Sequence, residues 1–366
     1  MPASASTWVR VWARVRVRHP RLAATPAAVA WLERLADLQR DTKTVAAYAR
    51  GVEDWLDFLA AEGDAPGGCA LADATEDTGV RFVGALRARP GPRGLRLESG
   101  TGLSLATLRL RLTAVRRFYE YLCRRGLAAE QPLPAGEWRA GRPGRTAGGR
   151  SGLLPVQHRL PWIPTGEEWR RFLSVVAGAS LRTRLMLLVA YEGALRRETV
   201  VGLDVRDLDP AHRTLTVRPE IAKGSRGGVV GYGDATAGLL AAHLRAEHAR
   251  LRGLPLAAPR PLFVSESAQN RGAPLTPDGW HDIVTRLGRA AGLPRMHPHA
   301  LRHLRLTHMA QAGLELYEVQ QWAMHTDPQT TLRYLHLAGR HLNTRVAKQM
   351  ARLDAELAVV AREVGA

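Results

Sequence analysis

The sequence predicts a mainly α protein with a small β-sheet: an N-terminal helical domain, then an α+β domain. Three observations predict it. Apolar residues recur at helical spacing through most of the 366 residues. Only one stretch, "RTLTVRPEIAKGSRGGVVGYG", reads as strand, Gly-rich turn and strand. Between the two regions lies a Pro-, Gly- and Arg-rich segment, residues 131–160, without periodicity. A chain of this length accommodates two ordinary domains, and a hydrophobic fraction of 45% supports packed cores.

The elements follow in order. The opening "WVRVWARVRVRHPR" alternates valine and arginine, which leaves a flexible basic arm over residues 1–24 or an edge strand, the arm being preferred. Residues 25–63 hold two helices, the second starting at a cap-like Asp41-Thr42 and ending at Gly63. Its stripe of Val45, Tyr48, Val52, Trp55, Leu56 and Leu59 assigns Tyr48 and Trp55 to the core. A helix is expected around "DTGVRFVGALRAR" and a long one over 104–127. The latter carries Leu108, Leu112, Val115, Tyr119 and Leu122 on one face, while Arg109, Arg111, Arg116, Arg117, Arg124 and Arg125 crowd the rest. This helical domain spans 25–130.

The second domain, 161–346, begins where Thr165 and Glu168 form a capping box. A buried helix, a turn at Gly193 and another helix precede the hairpin, and the remainder is helical apart from "PLFVSESAQNRGAPLTP". Residues 347–366 form a final helix with an apolar stripe of Met350, Leu353, Leu357, Val360 and Val364.

Charge narrows the partner. Fifty-two basic residues against 34 acidic give a formal +18, pointing to a polyanion, with double-stranded DNA first. Drift toward arginine from GC-rich coding is the competing explanation. Lysine occurs only at 43, 223 and 348. A lysine kept in an arginine background suggests a task arginine cannot perform, such as giving up a proton, so Lys223 stands out. Cys69 and Cys123 have no metal-type spacing, which fits a reducing cytoplasm, and no apolar run reaches membrane-spanning length.

Four patches carry the chemistry. "GALRRET" puts Arg196 at a helix start, where its planar fork can face a phosphate. "AKGSRGG" puts Lys223 and Arg226 on the hairpin. In "HPHALRHLRLTH", His299 and Arg302 share a helix face. His299 and His303 could pair on a metal, but no Glu or Cys accompanies them, so neither metal nor cofactor is expected. His303 and His308 are assigned structural or phosphate-adjacent places. In "HTDPQTTLRYLH", His325 precedes Tyr334 by nine positions, with Pro328 and the threonines beside it supplying turn and cap.

Arg, Lys, His-x-x-Arg, His and Tyr in this order resemble the catalytic domain of the tyrosine recombinases, the phage-integrase type of site-specific recombinase. "GALRRET", "KGSR", "HALRH", "AMH" and "RYLH" carry the likeness, and it extends over roughly residues 25–345. "DTKTVAAYARGVEDWLDFL" and "ATLRLRLTAVRRFYEYLCRRGL" resemble helices of that family's core-binding domain. The resemblance implies a core-binding domain followed by a catalytic domain of tyrosine-recombinase type. It implies six catalytic residues: Arg196, Lys223, His299, Arg302, His325 and the nucleophile Tyr334. Arg196 and Arg302 would clamp the scissile phosphate. His299 would assist proton transfer, and His325 would hydrogen-bond a non-bridging oxygen. Lys223 would protonate the leaving 5′ oxygen.

A covalent 3′-phosphotyrosine would keep the bond energy for rejoining. Lys43, Arg109, Arg111, Arg116, Arg117, Arg124 and Arg226 are the expected DNA contacts. A homo-tetramer on a specific DNA site, docked through the C-terminal helix, and an integrase or transposase role in the bacterial nucleoid complete the expectation. A topoisomerase IB-like nicking-closing enzyme and a silent DNA-binding relative are the alternatives. The chain departs from the family pattern at Thr199 (usually acidic), Met324 (usually Gly) and Gly231 (often Pro).

Overall fold

The computed structural model describes residues 5–38, 41–63, 70–89, 103–133, 161–222, 226–251, 260–332 and 334. They fall into two compact units that divide between His158 and Arg159.

The first unit is helical: α1 (Ala5–Arg18), α2 (Pro20–Ala23), α3 (Pro26–Asp37), α4 (Thr42–Gly63), α5 (Glu76–Ala88) and α6 (Leu105–Arg124). The expected N-terminal arm is therefore corrected to a helix. Alternation would bury Val15 and Val17 together, yet Val15 is 4% exposed and Val17 83%. Trp12, three residues before Val15, packs at the edge of the core, so the working period is helical. Glu53 fixes the next turn by accepting the backbone N–H groups of Arg21 and Leu22 at 3.1 and 2.7 Å.

The unit is organised on α4 crossing α6. A Cβ at Gly51 would stand 2.6 Å from Ala114 Cβ, so only glycine permits that approach. The α4 stripe is buried as its spacing predicts except at Tyr48, which is half-buried at the edge of the core, while Trp55 is fully enclosed with its Nε1–H donating to Tyr119 Oη at 3.1 Å. Tyr119 in turn donates to the Leu71 carbonyl at 2.8 Å, so both large polar aromatics are satisfied inside the core. Ser104 caps α6 by accepting from Thr107 N–H.

The second unit contains α7 (Gly166–Ala177), α8 (Leu181–Glu192), α9 (Arg197–Gly202), α10 (Asp234–Leu251), α11 (Pro277–Ala290), α12 (Pro298–Ala312) and α13 (Leu316–Ala323). Its sheet is antiparallel in the order β1 (Leu208–Asp209), β2 (Thr214–Val217), β3 (Gly228–Gly231). The two-residue β1 was invisible to pattern reading, being too short to alternate. Thr165 and Glu168 form the expected capping box, the hydroxyl accepting from Glu168 N–H and the carboxylate from Thr165 N–H.

Leu215 pairs with Leu208 on one side and Val230 on the other, which drives the sheet's apolar face into the core with Leu185, Met186 and Trp280. The hairpin closes tightly: a Cβ at Gly227 would stand 2.5 Å from the Val217 carbonyl. A smaller cluster of Ala194, Leu306, Met309, Val319, Ala323 and Tyr334 joins the ends of α8, α12 and α13. That cluster is the floor of the candidate site.

Residues 134–160 of the expected linker, the C-terminal helix 347–366, and Lys223 lie outside the described residues.

Candidate active site

Arg196 is placed by a turn. α8 ends at Gly193, and Ala194 then adopts a left-handed backbone with φ +47°. That conformation costs a non-glycine residue about 1–2 kcal/mol. Enclosure of the Ala194 methyl among Leu306, Met309 and Tyr334 offsets it. The chain then extends, so that Arg196 becomes the N-cap of α9 with its side chain half-buried.

Arg302 is the centre of the site. It sits on α12 at 5% exposure. One guanidinium nitrogen donates to the Ala194 carbonyl at 2.5 Å; the other donates to the Ala323 carbonyl at 2.6 Å and His325 Nε2 at 2.9 Å. Burial first, then the neighbouring Arg196 charge, push its pKa down to about 9, with the Tyr334 oxygen opposing. It remains a cation at neutral pH. Burial also lowers Arg196, again opposed by Tyr334, with Glu198 next. Two guanidiniums crowded in this way favour any anion placed between them.

His299 and His303 lie one turn apart on the same helix, ring centroids 6.1 Å from each other. Burial of its inner edge, then Arg302, hold the His299 imidazole below its ordinary range, with Arg196 a smaller cause of the same sign.

His325 follows a second left-handed residue, Met324 at φ +51°, the C-cap of α13. This explains the glycine usual at that position in the resembling family. Here methionine tolerates the strain because its side chain is buried over Gly228 of β3. Accepting a hydrogen bond from Arg302 on Nε2, His325 uses Nδ1 to reach Thr331 Oγ1 at 2.8 Å. Both His325 and Thr331 are buried. The expected cap is corrected here: Asp327, not a threonine, accepts from Gln329 N–H at the start of the last helical segment, and Thr331 orients His325 instead.

Tyr334 is 3% exposed, its ring parallel to His325 within 10° at 6.2 Å. Its hydroxyl lies 2.7 Å from Nδ1 of His303. Sequence reasoning gave His303 a lesser place; its i+4 relation to His299 on one helix face was the available signal. Of the six expected catalytic residues, Arg196, His299, Arg302, His325 and Tyr334 come together. The hairpin reaches the same place, for Arg226 approaches the His325 carbonyl at 3.4 Å. Thr199 donates its hydroxyl to the Ile221 carbonyl at 3.1 Å, tying α9 to the segment before Lys223 where an acidic side chain was expected. Gly231 pairs with Thr214 in the sheet.

The expected DNA contacts divide. Arg111 is corrected: it is 8% exposed, and its Nε pairs with Asp54 at 2.9 Å, so it is a core ion pair. Asp54 also holds Arg89 at 2.7 Å. Arg116 points its Nε to the Leu133 carbonyl at 2.8 Å, fastening the end of the unit. Arg117 pairs with Glu120 at 2.8 Å on the surface. Lys43 and Arg124 are exposed and Arg109 is half-buried. Arg34, Arg117, Arg124 and Arg125 line one open cleft with Tyr48 and Tyr121.

Comparison with known proteins agrees with this architecture. Residues 164–341 match the phage integrase family, and residues 28–126 match its N-terminal SAM-like domain. The tyrosine recombinase XerD of Caulobacter vibrioides is 30% identical over 324 residues, covering 86% of this chain and 93% of that protein. XerC of Bifidobacterium longum is 33% identical over 184 residues, covering 48% of this chain and 49% of that protein. In fold, the XerH site-specific recombinase bound to a palindromic difH substrate aligns with TM-score 0.59 and 21% identity, over 86% of this chain and 83% of that one. The Tn1549 transposon integrase in complex with a circular intermediate DNA aligns at 0.58 and 18%, over 81% and 92%. The chain belongs to the phage integrase family, the tyrosine recombinases. It is a tyrosine recombinase enzyme, and its class of activity is site-specific DNA recombination.

Proposed function

We propose that this protein is the integrase or transposase of a mobile element, cutting and rejoining double-stranded DNA at a specific site through Tyr334. The observation that carries the choice of nucleophile is the position of the Tyr334 hydroxyl. It lies against His303, with Arg196 and Arg302 close enough for its oxygen to support both guanidinium charges. The phage integrase match over residues 164–341 supports the recombinase chemistry.

The chemistry follows from the charges. Attack on a phosphodiester adds negative charge to the non-bridging oxygens, and two preorganised guanidiniums stabilise it. Arg302 is held by two carbonyls and His325, so it needs no reorganisation as the charge develops. His325, fixed by Thr331, would face a non-bridging oxygen. His299, neutral beside the two arginines, would serve proton traffic near the phosphate. Lys223 would protonate the 5′ oxygen as it leaves. The covalent 3′-phosphotyrosine then accepts a 5′ hydroxyl from a second duplex. Lys43, Arg109, Arg117, Arg124 and Arg226 would hold the backbone, and a tetramer joined by residues 347–366 would align two duplexes. Among the described residues no helix is long and apolar enough to cross a membrane; a place at the nucleoid follows from the DNA substrate.

The test is a nicked suicide substrate carrying the element's end sequence. Wild type should form a covalent protein–DNA adduct, and Tyr334→Phe none. An adduct with Tyr334→Phe would move the nucleophile elsewhere. Relaxation of supercoiled DNA lacking any target site, without strand exchange between sites, would favour the topoisomerase-like alternative. Site binding with no adduct from wild type would favour the silent relative.

A further inference from the structure

The proton that Tyr334 must lose has a receiver at hand. We propose that His303 takes it, acting as the general base toward the nucleophile, while His299 one turn earlier serves the phosphate. This rests on Tyr334 being the nucleophile.

Three observations support it. Nδ1 of His303 lies 2.7 Å from the Tyr334 oxygen, within the reach a general base needs. The tyrosine ring cannot swing freely, being parallel to His325 on one side and packed with Ala194, Leu306 and Met309. The ring of His303 is likewise confined, half-buried between His299 and Tyr334. Around the pair stand His299 and Arg302 on α12, Arg196 at the start of α9, and His325 before the tyrosine.

In the cleavage step, with Nε2 carrying its proton, Nδ1 of His303 accepts the proton of Tyr334 Oη, leaving the electron pair on the oxygen. The Oη–P bond forms and the P–O5′ bond breaks. The 5′ oxygen takes a proton from the general acid, Lys223 in the proposed reading. Rejoining reverses each transfer: the incoming 5′ hydroxyl attacks, the P–Oη bond breaks, and His303 returns its proton to Tyr334. No net proton is consumed over the cycle.

Asparagine places a side-chain atom where Nδ1 stands but cannot receive a proton there. His303→Asn should therefore bind target DNA as wild type does and lower the single-turnover rate of adduct formation by about 10²–10³-fold. The wild-type rate should fall with acidification through the imidazole range, and this limb should vanish in His303→Asn but persist in His299→Gln. Added imidazole should restore part of the rate to His303→Ala. A bridging 5′-thio leaving group should rescue Lys223→Arg and leave His303→Asn slow, because the defect lies on the nucleophile's side. His303→Gln, whose amide reaches the Nε2 position instead, serves as a second non-basic variant if asparagine disturbs folding. A wild-type rate and pH profile in His303→Asn, loss of the acid limb in His299→Gln instead, or faster cleavage in His303→Asn would each overturn the inference and leave Tyr334 in place. An adduct from Tyr334→Phe would overturn the reading beneath it.

Discussion

Arg302 and Ala194 are joined by a hydrogen bond that spans 108 positions of sequence, from a buried guanidinium to the carbonyl of a left-handed alanine. The bond makes the backbone turn before Arg196 a component of the phosphate site. Replacing Ala194 with valine puts a β-branched side chain at positive φ, where it is a genuine outlier. Ala194→Val should cost at least about 2 kcal/mol of stability, measured by urea unfolding. Cleavage should fall further than the folded fraction explains, because both arginines take their positions from this turn.

Arg302→Lys tests the fork. Lysine carries the charge but not the planar donors that reach Ala194, Ala323 and His325 together. Single-turnover cleavage should fall by about 10²–10³-fold with site binding nearly unchanged. Equal loss of binding and cleavage would assign Arg302 to uniform DNA affinity instead.

Met324→Gly sets two effects against each other. Glycine relieves the left-handed strain, about 1–2 kcal/mol. It also removes a buried methionine side chain, a loss of about 2–5 kcal/mol for truncation to alanine alone, and adds unfolded-state entropy. Packing should win, so the variant should unfold at lower denaturant. A more stable variant would show that strain dominates.

Thr331→Val should leave the Nδ1–H of buried His325 unsatisfied, at a cost of about 1–3 kcal/mol. Thr331→Ser keeps the oxygen and should retain both stability and cleavage. If valine cleaves as well as wild type, the orientation of His325 does not depend on this bond.

Arg111 and Arg124 separate packing from DNA contact on one helix. Asp54→Ala should strand Arg111 and destabilise the N-terminal unit by about 3 kcal/mol, the lower end for a broken buried pair. Arg124→Ala should leave stability nearly unchanged, weaken DNA binding across sequences, and reduce the salt slope by about 1. A reduced slope from Arg111→Met, with stability intact, would return Arg111 to the DNA face.

The sequence alone determined what short-range physics controls. The stripe of α4, the cap at Thr165, the hairpin, and the order of the site residues were all legible, because helical period and capping are properties of neighbours. α1 was missed because valine-arginine alternation mimics a strand until Val15 and Val17 are seen to face opposite ways. Tertiary structure decided which polar residues turn inward. Arg109 and Arg111 look alike in a basic helix; Asp54, 57 positions away, draws Arg111 into the core. It likewise decided that Thr331 orients His325 and that His303 meets Tyr334, 31 positions on. A hydrogen bond is satisfied in space, by whichever group packing brings within reach, and no local pattern records that partner.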